Sequence, residues 1–399
     1  MKFKKEWGFA EIFKKIGAYF FDALYILILT IALNFIGFAI IRNASFYQED
    51  TTKVNTNVDE LYSLETEARL IDLYDINEVK QNEPINEENQ FHKYLYRHLL
   101  RSDDISGNTL LGENRFQYIP KNTLTASIDN DYLAYFYVEF IPNNPNQGLP
   151  EINIDPLDYF NENILSEVNE NYFSLDENDF YYLNFDYARD LYSYLFVDDS
   201  NQNGETIYNN LYEFFVSTLN ESLTNFMNYE PFKEKYSEYQ TNYQKLVGIS
   251  VAINVTSFAV SFLILEVLVP ILDRKHHRTL GNMTSRIAPF DFKDKKLSLF
   301  RVLVKNLLFF IDTYWVNLVV SFFTIGNAGN NYVLFSIGSF NFINFYLMII
   351  SMFILVANIV IGISNKDKRL LDELMSGTIY LSYKKIRDFS DALEETSHE

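Results

Sequence analysis

The chain contains no cysteine among its 399 residues, and it has only nine prolines and two tryptophans. The absence of cysteine excludes disulfide scaffolds, thiolate zinc sites and cysteine nucleophiles. Basic residues are also scarce, because 33 Lys and Arg stand against 53 Asp and Glu and leave a formal net charge of −20. Such a charge argues against a protein that grips nucleic acid with its whole surface, so we expect no nucleic-acid partner. Phosphate-loop, serine-hydrolase, zinc-protease and dinucleotide motifs are missing too, and we do not expect an enzyme.

The charge is unevenly distributed along the chain. Residues 43–245 contain 12 basic and 37 acidic residues, a net charge of −25. The remainder contains 21 basic and 16 acidic residues, a net charge of +5, and includes long uncharged stretches. This split predicts a membrane protein into which an acidic domain is inserted.

Four stretches are long enough to cross a bilayer, which takes about 20 apolar residues. They predict transmembrane helices at residues 16–42, 246–272, 302–325 and 339–363. The first stretch is too long for a signal peptide and no small-residue cleavage site follows it, so it is expected to remain as an anchor. The predicted fold class is therefore an α-helical polytopic membrane protein with four transmembrane helices and an inserted extracytoplasmic domain.

The distribution of Lys and Arg predicts the orientation of the spans. Basic residues crowd the tail 1–15, the loop 273–301 and the tail 364–399, whereas the connector 326–338 has none. Because basic flanks stay on the cytoplasmic side, both termini are expected to be cytoplasmic and residues 43–245 extracytoplasmic. The composition, rich in Asn, Tyr, Phe and Ile, is typical of an AT-rich bacterial genome, which makes the plasma membrane the expected location.

The inserted domain is predicted to be helix-rich α+β. Alternation of apolar and polar residues over 131–142 predicts a strand, for which 115–120 is a candidate partner. The last helical pattern of the domain is expected to continue into the second span. Apolar residues at helical spacing predict four helices, at residues 59–75, 91–100, 187–196 and 208–227.

Charged residues inside the predicted spans are candidate functional residues, because burying a charge in a bilayer is costly. These residues are Asp22, Glu266, Lys305 and Asp312. They fit a cluster of carboxylates that binds a cation or a proton, and they equally fit structural ion pairs that orient the helices. Lys15 lies seven residues before Asp22 on the same helix face, so Lys15 and Lys305 are the expected counter-charges of Asp22.

Uncharged polar residues also recur at helical spacing in two spans. Glu266 falls on a different face from the stripe of the second span, so the two are expected to contact different neighbours. The stripes fit hydrogen bonds between helices or, alternatively, a hydrated path. The residues of the two stripes are Ser250, Asn254, Ser257 and Ser261, and then Asn344, Ser351 and Asn358.

The segments that flank the insert resemble the RDD family of bacterial membrane proteins. The likeness is carried by KIGAYFFDALYI in the first span, by residues 278–306 with their T-L-G loop, and by residues 366–381. The sequence departs from the family pattern where Lys15 replaces an Arg, Asn282 a Lys and Leu371 a His. The resemblance implies a multipass membrane protein for which transport is suspected. The family motif residues it implies are Lys15, Asp22, Gly281, Arg301, Asp372, Gly377 and Thr378.

One loop of the insert has the spacing of a calcium site. Asp199, Asn201 and Asn203 could supply oxygen ligands to Ca²⁺, with Gly204 making the turn. The twelfth position is Asn210 rather than Glu, which fits an ordinary loop equally well. No other cofactor is expected.

Two functions remain open at the level of the sequence. The first is transport of small ions or a small solute through a helix bundle, which would require a homo-oligomer because four spans are few for a transporter. The alternative is a membrane-anchored binding or assembly protein, whose outer domain carries the function and contacts an extracytoplasmic protein. In both cases the lipid bilayer is a partner.

Overall fold

The structure is a computed structural model. It describes residues 10–75, 79–106, 131–168, 172–274, 276–292 and 297–382. These residues are mostly helical, with short antiparallel strand pairs. The chain divides into two compact units, one made of Met1–Thr52 and Asn242–Glu399 and the other of Lys53–Thr241.

The described elements follow one another along the chain in two groups. Up to residue 226 they are α1 (Ile12–Ile41), α2 (Ser45–Glu67), α3 (Glu87–Ser106), α4 (residues 132–143), α5 (Pro156–Asn163), β1 (Phe173–Leu175), β2 (Tyr181–Leu183), α6 (Phe185–Phe196) and α7 (Gln202–Phe226). From residue 230 they are α8 (Glu230–Leu272, with a π-helical turn at Leu263–Leu268), α9 (Leu280–Thr284), β3 (Ile287–Asp291), α10 (Leu299–Asp312), α11 (Trp315–Ile325), α12 (Asn327–Asn330), β4 (Val333–Ile337), β5 (Phe340–Ile343), α13 (Asn344–Ser364), α14 (Leu371–Ser376) and β6 (Thr378–Ser382). β1 pairs with β2, β3 with β6, and β4 with β5.

Three of the described helices, α1, α8 and α13, are long and apolar enough to cross a membrane. The pair α10 and α11 would make a fourth if the two helices form one span. These helices leave large apolar side chains exposed, among them Phe13, Phe35, Phe323 and Phe353. Exposed apolar faces of this extent are what a lipid environment covers, and they agree with a polytopic membrane fold.

The third predicted span is not one straight helix. α10 ends at Asp312, α11 begins at Trp315, and the two axes differ by 41°. The hydroxyl of Thr313 donates to the main-chain oxygen of Phe309, in the last turn of α10. Such a side-chain bond competes with the helical ladder and bends helices without any proline.

The fourth predicted span begins five residues later than expected. Residues 340–343 belong to β5, and the helix starts at Asn344. The preceding connector contains β4, which pairs with β5 in a hairpin. Gly338 makes its turn with a φ of 61°, a conformation that glycine adopts without a steric penalty.

The unit Lys53–Thr241 has its own aromatic core, which includes Phe91, Phe136, Phe160 and Phe226. The helices predicted at 91–100, 187–196 and 208–227 are confirmed as α3, α6 and α7, the last ending at Phe226. The first is confirmed only in part, because α2 ends at Glu67. Helix α8 does run on from Glu230 into the second span.

The strand predicted at 131–142 is wrong, because this segment is the helical element α4. It consists of Tyr132–Tyr135, a π-helical turn at Phe136–Phe140, and Ile141–Asn143. The intervals between its successive buried residues are one, two, one, three and one, which is a helical pattern. The aromatic residues of the segment suit either period, so the sequence was interpreted as the alternation of a strand. They are Leu133, Ala134, Phe136, Tyr137, Phe140 and Ile141. The proposed partner, 115–120, lies outside the described residues.

Candidate functional site

Four carboxylates and one lysine are buried together at one end of the helix bundle, where α1, α8, α10 and α14 meet. We call this group the carboxylate layer. Each residue in it is at most 7% exposed, as expected only when charges are paired, protonated or hydrated. Its members are Asp22, Glu266, Lys305, Asp312 and Asp372.

Asp22 is held by the short helix α9. Its carboxylate accepts the Thr279 hydroxyl at 2.6 Å and the main-chain N–H of Gly281 at 2.5 Å. Thr279 is also the N-cap of α9 and accepts the N–H of Asn282 at 3.2 Å. A Cβ at Gly281 would lie 2.2 Å from the main-chain oxygen of Ala18, so only glycine allows α9 to approach α1 this closely.

Glu266 lies in the π-helical turn of α8, next to Asn306 of α10. The Asn306 amide donates to the main-chain oxygen of Glu266. Within the described residues, one carboxylate oxygen of Glu266 and the amide oxygen of Asn306 have no hydrogen-bond partner. The π-helical turn adds an extra residue and changes the rotation between Glu266 and the polar stripe of α8, so an ideal helical wheel misplaces this carboxylate.

Asp312 ends α10 and contacts α13. Its carboxylate accepts the Asn358 amide at 3.0 Å, and its second carboxylate oxygen has no partner within the described part of the chain. The Asn358 amide oxygen in turn accepts the N–H of Leu371 at 2.8 Å. Asn358 therefore connects the carboxylate layer to the start of α14.

Lys305 is shared among the four carboxylates. Its Nζ lies 3.8 Å from Asp372, and its charge also acts on Asp22, Glu266 and Asp312. The ammonium lies 4.7 Å from the ring centre of Tyr380. If all four carboxylates were ionised, these five side chains would carry a net charge of −3.

Lys15 does not pair with Asp22, so this sequence-based prediction is wrong. Its Nζ lies 2.8 and 3.0 Å from the two carboxylate oxygens of Glu373, and 2.7 Å from the main-chain oxygen of Lys368. Glu373 also accepts the N–H groups of Leu370 and Tyr380. Burial raises the pKa of Glu373, while the charge of Lys15 acts in the opposite direction.

The remaining family motif residues lie at the same end of the bundle. Arg301 pairs with Asp291 at the end of β3. Gly377 ends α14 with a φ of 68°, and the Thr378 hydroxyl lies 2.8 Å from that of Ser376. Since β6 follows at once and pairs with β3, the three segments that carry the family resemblance meet in one place.

A second polar group lies further along α1, α8 and α11. We call it the amide layer: Thr30, Asn34, Asn254, Asn317 and Ser321, each at most 2% exposed. The Asn34 amide donates to Asn254, whose own amide donates to the exposed Thr324 at 3.0 Å. Within the described residues, the hydroxyls of Thr30 and Ser321 have no hydrogen-bond partner.

The two predicted polar stripes are buried but behave differently. On α8 Asn254 bonds to neighbouring helices, whereas Ser250 and Ser261 donate to main-chain oxygens of α8 itself. On α13 Asn344 bonds to Tyr314 and Gly329. Ser351 accepts the N–H of Trp315. The α13 stripe therefore fastens this helix to α11 and α12.

The loop expected to bind calcium is arranged differently from the predicted turn. Helix α7 begins at Gln202, with Asn201 as its N-cap, and the Asn201 side chain accepts the N–H of Gly204 at 3.2 Å. Gly204 therefore lies inside the helix, against the main chain of Asp190. Across the described ranges, no three His, Asp or Glu residues come together to hold a metal ion. Calcium binding by Asp199 and Asn203 stays a prediction.

Three residues of the site were not expected to act as they do. Thr279 belongs to the T-L-G loop, but nothing in its spacing indicates that it holds Asp22. Asn306 follows Lys305 directly, and an Asn in an apolar span is a signal that could have been used. Glu373 follows Asp372 and could not be recognised from the sequence, because α14 is too short to show periodicity.

Comparison of the chain with protein-family models, curated proteins and solved structures finds no match.

Proposed function

We propose that this chain is a multipass plasma-membrane protein that moves protons or small cations, and that the carboxylate layer is its binding site. The observation that carries the proposal is the burial of four carboxylates together with one lysine, whose Nζ lies 3.8 Å from Asp372. A net charge of −3 at this depth is too costly to persist uncompensated. Protons or a mobile cation supply the missing positive charge.

The unpartnered oxygens support a site that exchanges its occupant. Carboxylate oxygens of Glu266, Asp312 and Asp372 lack hydrogen-bond partners within the described residues, as does the amide oxygen of Asn306. Buried oxygens of this kind normally bind a proton, water or an ion. Because no three carboxylates gather as metal ligands among the described residues, protons and singly charged cations fit better than a tightly held divalent metal.

The sequence supports the remaining parts of the proposal. Basic flanks favour cytoplasmic termini and an extracytoplasmic position for residues 43–245, with the carboxylate layer nearer the cytoplasm. The resemblance to the RDD family agrees with a transport role, and Lys15 keeps the positive charge of the family's Arg. With three or four candidate spans in the described part of the chain, a homo-oligomer is the form in which we expect the protein to work.

The variant Asp22→Asn tests the proposal directly. The amide oxygen of Asn can still accept the Gly281 N–H, and the Thr279 hydroxyl can turn to accept the new amide. Assembly should therefore survive, while the charge that binds a proton or cation is lost. Cation-dependent proton flux into vesicles reconstituted with purified protein should fall to the level of protein-free vesicles. Asp186→Asn, at a side chain 82% exposed in the other unit, is the matched control.

A correctly assembled Asp22→Asn protein with unchanged flux would contradict the role of Asp22. Absence of cation-dependent flux from wild-type vesicles would favour the second function, a membrane-anchored binding or assembly protein. The observation in favour of that alternative is the compact unit Lys53–Thr241, which has an aromatic core of its own. Its partner would then be an extracytoplasmic protein.

A further inference from the structure

The buried faces of α1 and α8 carry polar and apolar residues in the same order, but in opposite directions along the chain. On α1 the buried side chains at four-residue steps are Asp22, Ile26, Thr30 and Asn34. On α8 they are Asn254, Phe258, Phe262 and Glu266. Residues four apart lie on one face of an α-helix, one turn above each other, and of these eight residues only Glu266 lies in the π-helical turn. On α1 an apolar stretch therefore separates the carboxylate layer from the amide layer. On α8 the same interval holds the two phenylalanines together with the buried Ser257 and Ser261, and the Ser261 hydroxyl is bonded within the helix to the main-chain oxygen of Ser257.

The apolar residues between the two polar layers contact one another and form one cluster. We call it the apolar layer: Ala23, Ile26, Phe258, Phe262, Leu265, Phe309 and Val316. Ile26, Phe258 and Val316 are completely buried. Phe258 and Phe262 pack on the ring of Phe310, with centroids 5.2 and 4.9 Å apart. The layer thus crosses the bundle from α1 through α8 to α10 and α11.

The helices α10 and α11 carry residues of the carboxylate, apolar and amide layers in this same order, with Asp312 as the exception. Beyond the break, Val316 of the apolar layer is followed by Asn317 and Ser321 of the amide layer. Before the break, Lys305 precedes Phe309 by one turn. Asp312 comes between Phe309 and Val316 in the chain, but its carboxylate bonds to Asn358 on α13 and so faces a different helix.

We propose that the apolar layer is a closed gate that separates water in the amide layer from the carboxylate layer. This inference rests on the proposed function, because it assigns a gate to the same site. Among the residues that the structure describes, the hydroxyls of Thr30 and Ser321 have no partner and can bind water, and the Asn34–Asn254–Thr324 chain leads to an exposed residue. A constriction lined mainly by apolar side chains can exclude water and block ions by staying dry.

Ile26→Ser tests the gate by wetting its centre. Proton leak is measured with a pH-sensitive dye inside reconstituted vesicles, under an imposed membrane potential and without a cation gradient. Wild-type vesicles should hold their pH, and Ile26→Ser should raise the leak roughly tenfold or more, because water then connects the two polar layers. Ile28→Ser is the matched control, since Ile28 lies two residues away on α1 and is 57% exposed. Equal leaks from the two variants would overturn the gate.

Thiol accessibility gives a second measurement that does not depend on Ile26→Ser being well folded. Since the chain has no cysteine, single cysteines can be introduced without background. A membrane-impermeant cationic thiol reagent, added from the side of the amide layer, should modify Thr30→Cys quickly and Ala23→Cys at least roughly tenfold more slowly. Equal rates would contradict the gate.

The outcomes separate the gate from the proposed function. Leak through Ile26→Ser together with absent cation-dependent flux in the wild type would retain the gate and reject transport. Normal wild-type flux with equal Thr30→Cys and Ala23→Cys rates would retain transport and reject the gate.

Discussion

At the scale of single residues, Lys15 and Glu373 form an ion pair because both charged side chains are buried. Both side chains are fully buried, and Nζ lies 2.8 Å from the nearer carboxylate oxygen. Removing one partner leaves the other without its counter-charge, which typically costs about 3–5 kcal/mol, whereas removing both charges is far less costly. Because Lys15 lies on α1 and Glu373 on α14, the pair holds the C-terminal segment against α1.

We therefore expect Lys15→Met to destabilise the protein and the second substitution Glu373→Gln to restore most of the loss. Glutamine can still accept the N–H groups of Leu370 and Tyr380, which Glu373 accepts in the native protein. The measurement is the thermal unfolding midpoint of the purified chain in detergent for both single variants and the double variant. Losses that simply add in the double variant would show that the two side chains are not coupled.

Glu65 predicts a pH dependence of stability in the unit Lys53–Thr241. Burial raises the pKa of Glu65 from an ordinary 4.5 to about 7. The folded state therefore binds the proton of Glu65 more tightly than the unfolded state does. The stabilisation that this proton gives the folded state is present below about pH 4.5 and is lost as the pH rises towards 7. Glu65→Gln cannot titrate, and its advantage in unfolding midpoint over the wild type should grow between pH 5 and pH 8.

The exposed carboxylate of Glu67 on the same helix supplies the control for Glu65. Glu67→Gln should leave the pH dependence of the wild type in place, because it removes an exposed charge and leaves the half-buried carboxyl group of Glu65. A midpoint difference between Glu65→Gln and the wild type that stays constant from pH 5 to pH 8 would show that Glu65 does not titrate in this range.

At the scale of elements, the contact between α1 and α9 depends on one glycine. A Cβ at Gly281 would meet the main-chain oxygen of Ala18 at 2.2 Å and the Asp22 carboxylate at 2.6 Å. Main-chain atoms cannot move aside as a flexible side chain can, so α9 would have to shift away from α1. The two hydrogen bonds that Asp22 accepts from Thr279 and Gly281 would then lengthen or break.

Gly281→Ala should accordingly lower the unfolding midpoint and abolish cation-dependent flux together. Gly17→Ala is the matched control on α1, because the nearest atom to its added Cβ is the Ser285 hydroxyl oxygen at 3.8 Å, an ordinary contact. Both variants gain the same methyl group, so a difference between them reports the close approach of α9. Equal midpoints and equal flux would show that α9 can retreat without cost.

At the scale of the whole molecule, the basic flanks predict the topology. Tags placed after Glu399 and near Lys293 should both be protected in intact cells, whereas a reporter at residue 145 should be accessible. The physical reason is that Lys and Arg next to a span resist transfer across the membrane. Protease that cuts intact cells at residue 293 and spares residue 145 would reverse the assignment.

The presence of helices long and apolar enough to cross a membrane, and a compact unit in the middle of the chain, could be predicted from the sequence. Apolar length and charge composition are local properties, so they can be read along one stretch of chain without its neighbours. The burial of Asp22, Glu266, Lys305 and Asp312 was predicted for the same reason. The helices α3, α6 and α7 also followed from local periodicity, whereas the aromatic segment 131–142 was misjudged because its residues suit either period.

Only the tertiary structure decided which of these groups meet. Lys15 contacts Glu373 rather than Asp22 because a residue some 360 positions away folds back against α1, and spacing along one helix carries no information about such a contact. The π-helical turn at Glu266 and the bend after Asp312 alter side-chain directions that an ideal helix would assign differently. The apolar layer between two polar layers likewise exists only where several helices pack, since each contributes one turn to it.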